Sequence, residues 1–281
     1  MDYILFEKFA RQVRNQARAA KKYKNEVKQW LTVAVDDLEI SELLYAQKHY
    51  AGAIYHLQQF YEKITKAYFI LMGRATPDEI KGHSFNITEL RDMIKDNTIN
   101  NAIALMKNVD EDNKYVSSII VKEEVFDIVN KKEDDIRLLN QEGFDELLAV
   151  INKFEEVLSN PQFLISVEKK IRIHRFQKRL RHIIYMITHF RVSYKQVDEI
   201  VSEHNIKNYL DSCAISIRLL ILGLFTFLHY NTPRYPYDKY SSVNYFHYTT
   251  SLGIVQKYSV LVEQGKEILK HLQADVERTN N

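Results

Sequence analysis

The sequence predicts an all-α protein, an antiparallel up-and-down helical bundle with additional helices in a long central insertion. Three observations lead there. Only seven glycines and four prolines occur in 281 residues, so tight turns are few and helices long. Apolar residues at 46% beside 27% charged residues are enough for a buried core. Apolar side chains also return at three- and four-residue intervals through most of the chain, the spacing that lines one face of a helix. The scarcity of glycine excludes one class of site as well, because neither a P-loop nor a Gly-x-Gly-x-x-Gly turn is present to cradle phosphate.

Taken in order, residues 3–28 read as a basic helix. Arg11, Arg14, Arg18 and Lys21 step along one face, partly opposed by Phe6, Phe9, Val13 and Ala17. That face is either solvated or a stripe that tracks phosphates. A second helix is expected over 30–49, with Leu31, Ala34, Leu38, Leu44 and Tyr45 as its core line. The third, over 51–72, is the most regular: Leu57, Phe60, Ile64, Ala67, Tyr68 and Leu71 share a face, and Gln59, Glu62, Lys63 and Lys66 fall between them. Glu62 and Lys66 have the favourable i,i+4 orientation. Gly73 suits a helix C-terminus and Pro77 blocks continuation. His83 and Ser84 then open a helix running to Ile94.

The stretch 98–158 is acidic, with a helical line of Leu138, Leu139, Phe144, Leu147, Leu148, Ile151, Phe154 and Leu158 that Pro161 ends. Glu133, Asp134 and Asp135 are consecutive, so they diverge around a helix and make no metal site. Residues 166–191 read as a long basic helix and 192–201 as a short polar helix or turn. Residues 207–228 form the most apolar helix. A loop over 229–237 carries Pro233 and Pro236, and a last helix runs over 243–273, its Thr/Asn-rich end fraying. These elements divide the chain into a basic N-terminal helix (1–29), the first half of a bundle (30–95), a helical insertion (96–204) and the second half (205–281).

A net charge of +2 conceals segregation. From Lys8 to Lys28 eight basic residues face only Glu26, and from Lys169 to His182 seven face no acid. Each segment carries +7, which leaves −12 elsewhere and favours a polyanionic partner at the basic segments. Cys213 is the only cysteine, so no intrachain disulfide or cysteine-based zinc site is available. The N-terminus lacks a secretory pattern, and the most apolar run, 219–228, is half of the about 20 residues a membrane span needs. A cytoplasmic protein without membrane association is expected.

The residues around 55–66 carry a family pattern. Gln59, Glu62, Lys63, Lys66 and Ala67, followed by Gly73, Gly82-His83 and Leu90, resemble the HEPN (higher eukaryotes and prokaryotes nucleotide-binding) family. Trp30, Ala34, Asp37-Leu38 and Tyr50-Ala51 fit the same pattern upstream, and Tyr230 with Arg234-Tyr235-Pro236 resembles the element before the family's last helix. The resemblance covers roughly 30–90 and, more loosely, 210–272. It implies a HEPN-like bundle, a role with RNA or nucleotides, a homodimer, a nucleotidyltransferase-type partner protein, and a microbial defence or toxin–antitoxin setting. By the same resemblance, His56, Gln59, Lys63, His83 and Arg234 would surround a nucleotide-sized cavity. Lys63 and Lys66 would meet phosphate and Tyr235 would stack on a base. Lys66 is equally well satisfied by Glu62.

Many members of that family are metal-independent ribonucleases with an Arg-x4-6-His motif, in which His moves protons and Arg holds phosphate. Here Arg175 and His182 have that spacing, and two helical turns, about 10.5 Å along the axis, place them on one face. Phe176 stands where the family usually has a polar residue, and a helix this rich in arginine produces such a pair by chance. The competing reading is a basic helix on which Lys178 and Arg179, like Arg11, Arg14 and Arg18 upstream, grip phosphates without cutting. A third reading is a non-catalytic protein-interaction scaffold. No cofactor is implied and no metal-ligating set stands out: there is no His-Glu-x-x-His, and of His174, His182 and His189 only the last two share a face.

Overall fold

A computed structural model describes residues 15–16, 18–81, 137–160, 203–229, 233–234 and 243–278. Among them the chain is helical without a strand. Helix α1 is Lys24–Ala46, α2 Tyr50–Leu71, α3 Pro77–Lys81, α4 Gln141–Ser159 and α5 Glu203–Phe227. A 3-10 turn, Tyr245–His247, precedes α6, Gly253–Gln256, and α7, Tyr258–Arg278. The expected helices over 83–94 and 166–191, and the polar segment 192–201, lie outside the described residues.

Helices α1 and α2 form an antiparallel hairpin, against which α5 and α7 complete an up-down-up-down bundle. Three tyrosines record the alignment. Tyr68, late in α2, donates to the carbonyl of Ser212, early in α5, at 2.9 Å. Tyr61, fully buried, donates to the carbonyl of Leu261 in α7 at 2.7 Å, and Tyr45 at the end of α1 donates to Val255 at 3.1 Å. Tyr61 and Tyr68 satisfy their polar groups inside the core while their rings fill its volume, and Tyr45 does so at its half-buried edge. Helix α4 lies antiparallel along α5, with Phe144 against Phe225 at 4.7 Å between ring centroids. The core is centred on α2, where Ile54, Leu57, Phe60, Tyr61, Ile64, Ala67 and Ile70 are inaccessible to water. Removing each large apolar side chain from water contributes about 1.5–3 kcal/mol. At Gly265 α7 comes close to α2: a Cβ there would sit 2.5 Å from Phe60.

Several boundaries differ from those read in the sequence. Between the basic segment and the next helix the bend falls at Tyr23, and α1 runs unbroken through residues 29 and 30. Val27, Leu31, Ala34, Leu38 and Ser41 make one buried line, with no glycine or proline to interrupt it. Lys28 of the basic segment pairs with Glu277 at the end of α7, 2.7 Å away. Pro77, expected only to stop a helix, starts one. Thr76 and Glu79 close a capping box around it, the Thr76 amide donating to Glu79 Oε2 at 2.7 Å and the Glu79 amide to Thr76 Oγ1 at 3.3 Å. The last helix begins at Tyr258, not near Val243, and extends to Arg278. Asn244 caps the turn at 245–247, and Thr249 and Ser251 bond each other and the local backbone, drawing the chain away from helix. In α4 Phe144, Leu147 and Ile151 are buried as the periodicity expects, whereas Leu138 precedes the helix and is exposed.

Candidate functional site

One strip of α2 escapes full burial: Tyr55, His56, Gln59, Glu62 and Lys63 are half-buried along its outer side, with Lys66 closing the strip at its C-terminal end. Helical geometry puts these residues, three and four apart, on one face. The strip is tied to α1 through Asp37, whose side chain is only 12% exposed. A carboxylate that far out of water requires partners, and it has two. His56 Nδ1 donates to Asp37 Oδ1 at 2.9 Å and Lys63 Nζ bonds the other oxygen. Burial alone would push the Asp37 carboxyl up. The hydrogen bonds from His56 and Lys63, reinforced by their charge, outweigh it and hold the group below the ordinary carboxylate range.

From Lys63 the network continues along α2. Gln59 Oε1 accepts from Lys63 at 3.4 Å, and the Gln59 amide donates to Gln58 Oε1 at 2.6 Å. Gln58 and Lys66 both donate to Glu62, at 3.2 and 2.7 Å, and Lys66 lies over the Trp30 ring of α1 at 5.1 Å. Opposite α1, Tyr55 links the strip to the segment at 233–234. Its ring centroid is 5.2 Å from the His56 ring and 5.2 Å from Arg234 Cζ. The site therefore joins α1, α2 and the approach to the last helices, with Lys63, Lys66 and Arg234 set against Asp37 and Glu62.

Of the residues singled out in the sequence, His56, Gln59, Lys63 and Lys66 share this network and Arg234 stands beside it. Arg18 is exposed on the helical turn ahead of α1. His83, Tyr235, Arg11, Arg14, Arg175, Lys178, Arg179 and His182 lie outside the described residues. Lys63 and Lys66, expected to meet phosphate, each hold a carboxylate in this state. Glu62 holds Lys66 as the alternative reading had it, and Asp37 and Trp30, quoted only for the family pattern, join the site together with Gln58. A signal existed for Asp37: an acid three residues after Ala34 and four before Ser41, on the edge of a buried line, needs a partner on the facing helix. Among the described residues no three His, Cys, Asp or Glu side chains gather as a metal-ligand set, and no helix is long and apolar enough to cross a membrane.

A helical bundle with a polar network on the outer face of one hairpin defines the class. The model of the HEPN domain matches residues 27–159, so that the resemblance carried by Gln59, Glu62, Lys63 and Lys66 is borne out there. The match continues past Leu90 through α4, into the stretch where no resemblance was legible, and supports a nucleotide- or RNA-related role at the level of the family. No curated protein and no solved structure matches the chain.

Proposed function

We propose that the chain is an RNA- or nucleotide-associating module whose phosphate-facing surface is the outer strip of α2 with Arg234. The observation that carries this is the Asp37 network: one buried carboxylate holds His56 and Lys63 in place, and Arg234 is positioned through Tyr55 on the other flank. Lys63, Lys66 and Arg234 exceed Asp37 and Glu62 by one charge before His56 is counted. Phosphate entering the strip competes with the carboxylates for the lysines, and the guanidinium offers a planar fork. The basic segments 8–28 and 169–182 would extend the footprint along a polyanion.

Titration of a fluorescent single-stranded oligoribonucleotide tests the reading. Binding should weaken steeply with salt, and Arg234→Glu with Lys63→Glu should lower affinity at least ~10-fold at 0.1 M salt by removing phosphate contacts. Salt-insensitive binding, or an unchanged affinity in the double variant, overturns it. A microbial defence or toxin–antitoxin setting and a nucleotidyltransferase-type partner belong to the same proposal and rest on the family resemblance. Homodimerisation is proposed on a further observation: Val33, Ile40 and Leu43 are exposed along one side of α1, next to Asp37.

A further inference from the structure

Resting on the RNA-facing reading of the strip, we propose that the turn at Tyr245 and Phe246 is a stacking platform for unpaired nucleobases, which makes single-stranded RNA the polyanion this chain takes. The turn presents what a folded chain ordinarily hides. Phe246 is 71% exposed and Tyr245 46%, their rings edge to face at 5.5 Å between centroids. The backbone beneath them is fixed at several points. Asn244 Oδ1 accepts from the Phe246 amide at 3.1 Å, and the Asn244 amide donates to His247 Nδ1 at 3.1 Å. Val243 before the turn is fully buried and Tyr248 after it nearly so, with the Tyr248 hydroxyl 2.6 Å from His229 Nδ1. Anchored on both sides, the chain holds the two rings in water, and a ligand stacking on them has little backbone left to order.

Size and charge choose the occupant. A specific protein contact buries about 800 Å² on each partner. Two aromatic side chains offer only about 150–250 Å² each when fully covered. Thr249, Thr250 and Ser251, which follow, are polar and exposed, so the apolar surface ends on that side with the rings. A surface of that extent fits one or two bases, whose faces stack on aromatic side chains whatever their identity. Residues 243–256 contain no Lys, Arg, Asp or Glu. The turn therefore neither attracts nor repels a phosphate backbone, and what it offers is offered to bases. Phosphates are left to the strip, and the two surfaces lie at one end of the bundle. The bond from Tyr68 to Ser212 sets the end of α5 beside the start of α2. Tyr55, which faces Arg234, is in the second turn of α2, and Tyr248 is tied to His229, two residues past α5. A base stacked and paired in a duplex exposes only its edges, so the platform selects unpaired strands.

The test titrates the full chain into three labelled RNAs of equal phosphate number: a single strand, the same strand with abasic sites throughout, and a hairpin duplex. The parent should bind the single strand at least ~10-fold more tightly than either of the others, and should quench a 2-aminopurine placed within it. Tyr245→Ala with Phe246→Ala should lower single-strand affinity at least ~10-fold and abolish the quenching, while the slope of log Kd against log salt stays as it was, since no phosphate contact is lost. Both rings are exposed, so the urea midpoint should not move, and Tyr245→Trp with Phe246→Trp should keep the parent's affinity. Absence of quenching by the parent, a hairpin bound as tightly as the single strand, or an equal loss on the abasic strand overturns the platform and leaves the phosphate-facing strip standing. Unchanged RNA affinity in the alanine pair does the same, and if self-association falls in that variant the turn is a protein contact. Failure of the parent to bind any of the three RNAs overturns both readings.

Discussion

Two histidines show what a few ångströms of surroundings do to one side chain. His56 sits at the rim of the bundle on a carboxylate. His229 is sealed at the end of α5, where its Nδ1 lies 2.6 Å from the Tyr248 hydroxyl. Burial, with the charge of Arg137 added, pushes the His229 imidazolium down to a pKa of about 3. The consequence for stability has a definite sign. Between the unfolded value near 6.5 and about 3, the unfolded chain binds a proton that the folded chain does not. Acid therefore favours unfolding across that window, by about 1.4 kcal/mol per pH unit. Urea midpoints at pH 7 and pH 5 should differ for the parent protein and differ much less for His229→Gln. Asp37 acts in another window, since a depressed carboxylate loses its contribution only as pH falls below its unfolded value near 3.9.

At the scale of elements, the ends of α1 and α2 make an instructive pair. Both finish in the same hydrogen-bonded motif. After α2, the Gly73 amide donates to Ile70 and that of Arg74 to Phe69, with Gly73 at φ +64°. After α1, the Lys48 amide donates to Tyr45 and that of His49 to Leu44, and Lys48 takes the same φ of 64°. Glycine adopts that conformation freely, whereas a lysine Cβ crowds its carbonyl at a cost of about 1–2 kcal/mol. Lys48 is exposed, so no packing offsets the strain. Lys48→Gly should therefore raise the stability of the hairpin by about 1 kcal/mol, read as a higher urea midpoint with an unchanged slope. A lower midpoint would mean that the added freedom of the unfolded chain dominates.

For the whole molecule, polar ties between helices do two jobs. Arg218 of α5 bonds Glu155 of α4 through two nitrogens and Glu267 of α7 at 2.5 Å, joining three helices at one guanidinium. Lys257 on Asp145 and Lys266 on Glu42 set α4 and α1 against the C-terminal helices. Among the described residues the outer side of α1 has no such tie at Val33, Ile40 and Leu43, with Leu43 59% exposed. Exposed apolar side chains in a row on one helix face mark a contact surface. Light scattering should report a dimer for the parent chain, and Leu43→Glu should shift it toward monomer at micromolar concentration while leaving the Tm within a few degrees. A monomeric parent would remove homodimerisation from the proposed function.

The fold class, the placement of α2 to within one residue at each end, and part of the apolar lines of α1 and α4 were legible in the sequence. They depend on local periodicity and on the shortage of glycine and proline. The family motif was legible for the same reason, since Gln59, Glu62, Lys63 and Lys66 lie within two turns of one helix. Only the tertiary structure brought Asp37 to His56 and Lys63, and Arg234 to Tyr55. Those meetings span 19, 26 and 179 positions of the chain. Periodicity says which side of a helix faces inward, not which partner it will find. That depends on how the helices pack, and there a buried charge must be matched across the interface or not be buried at all.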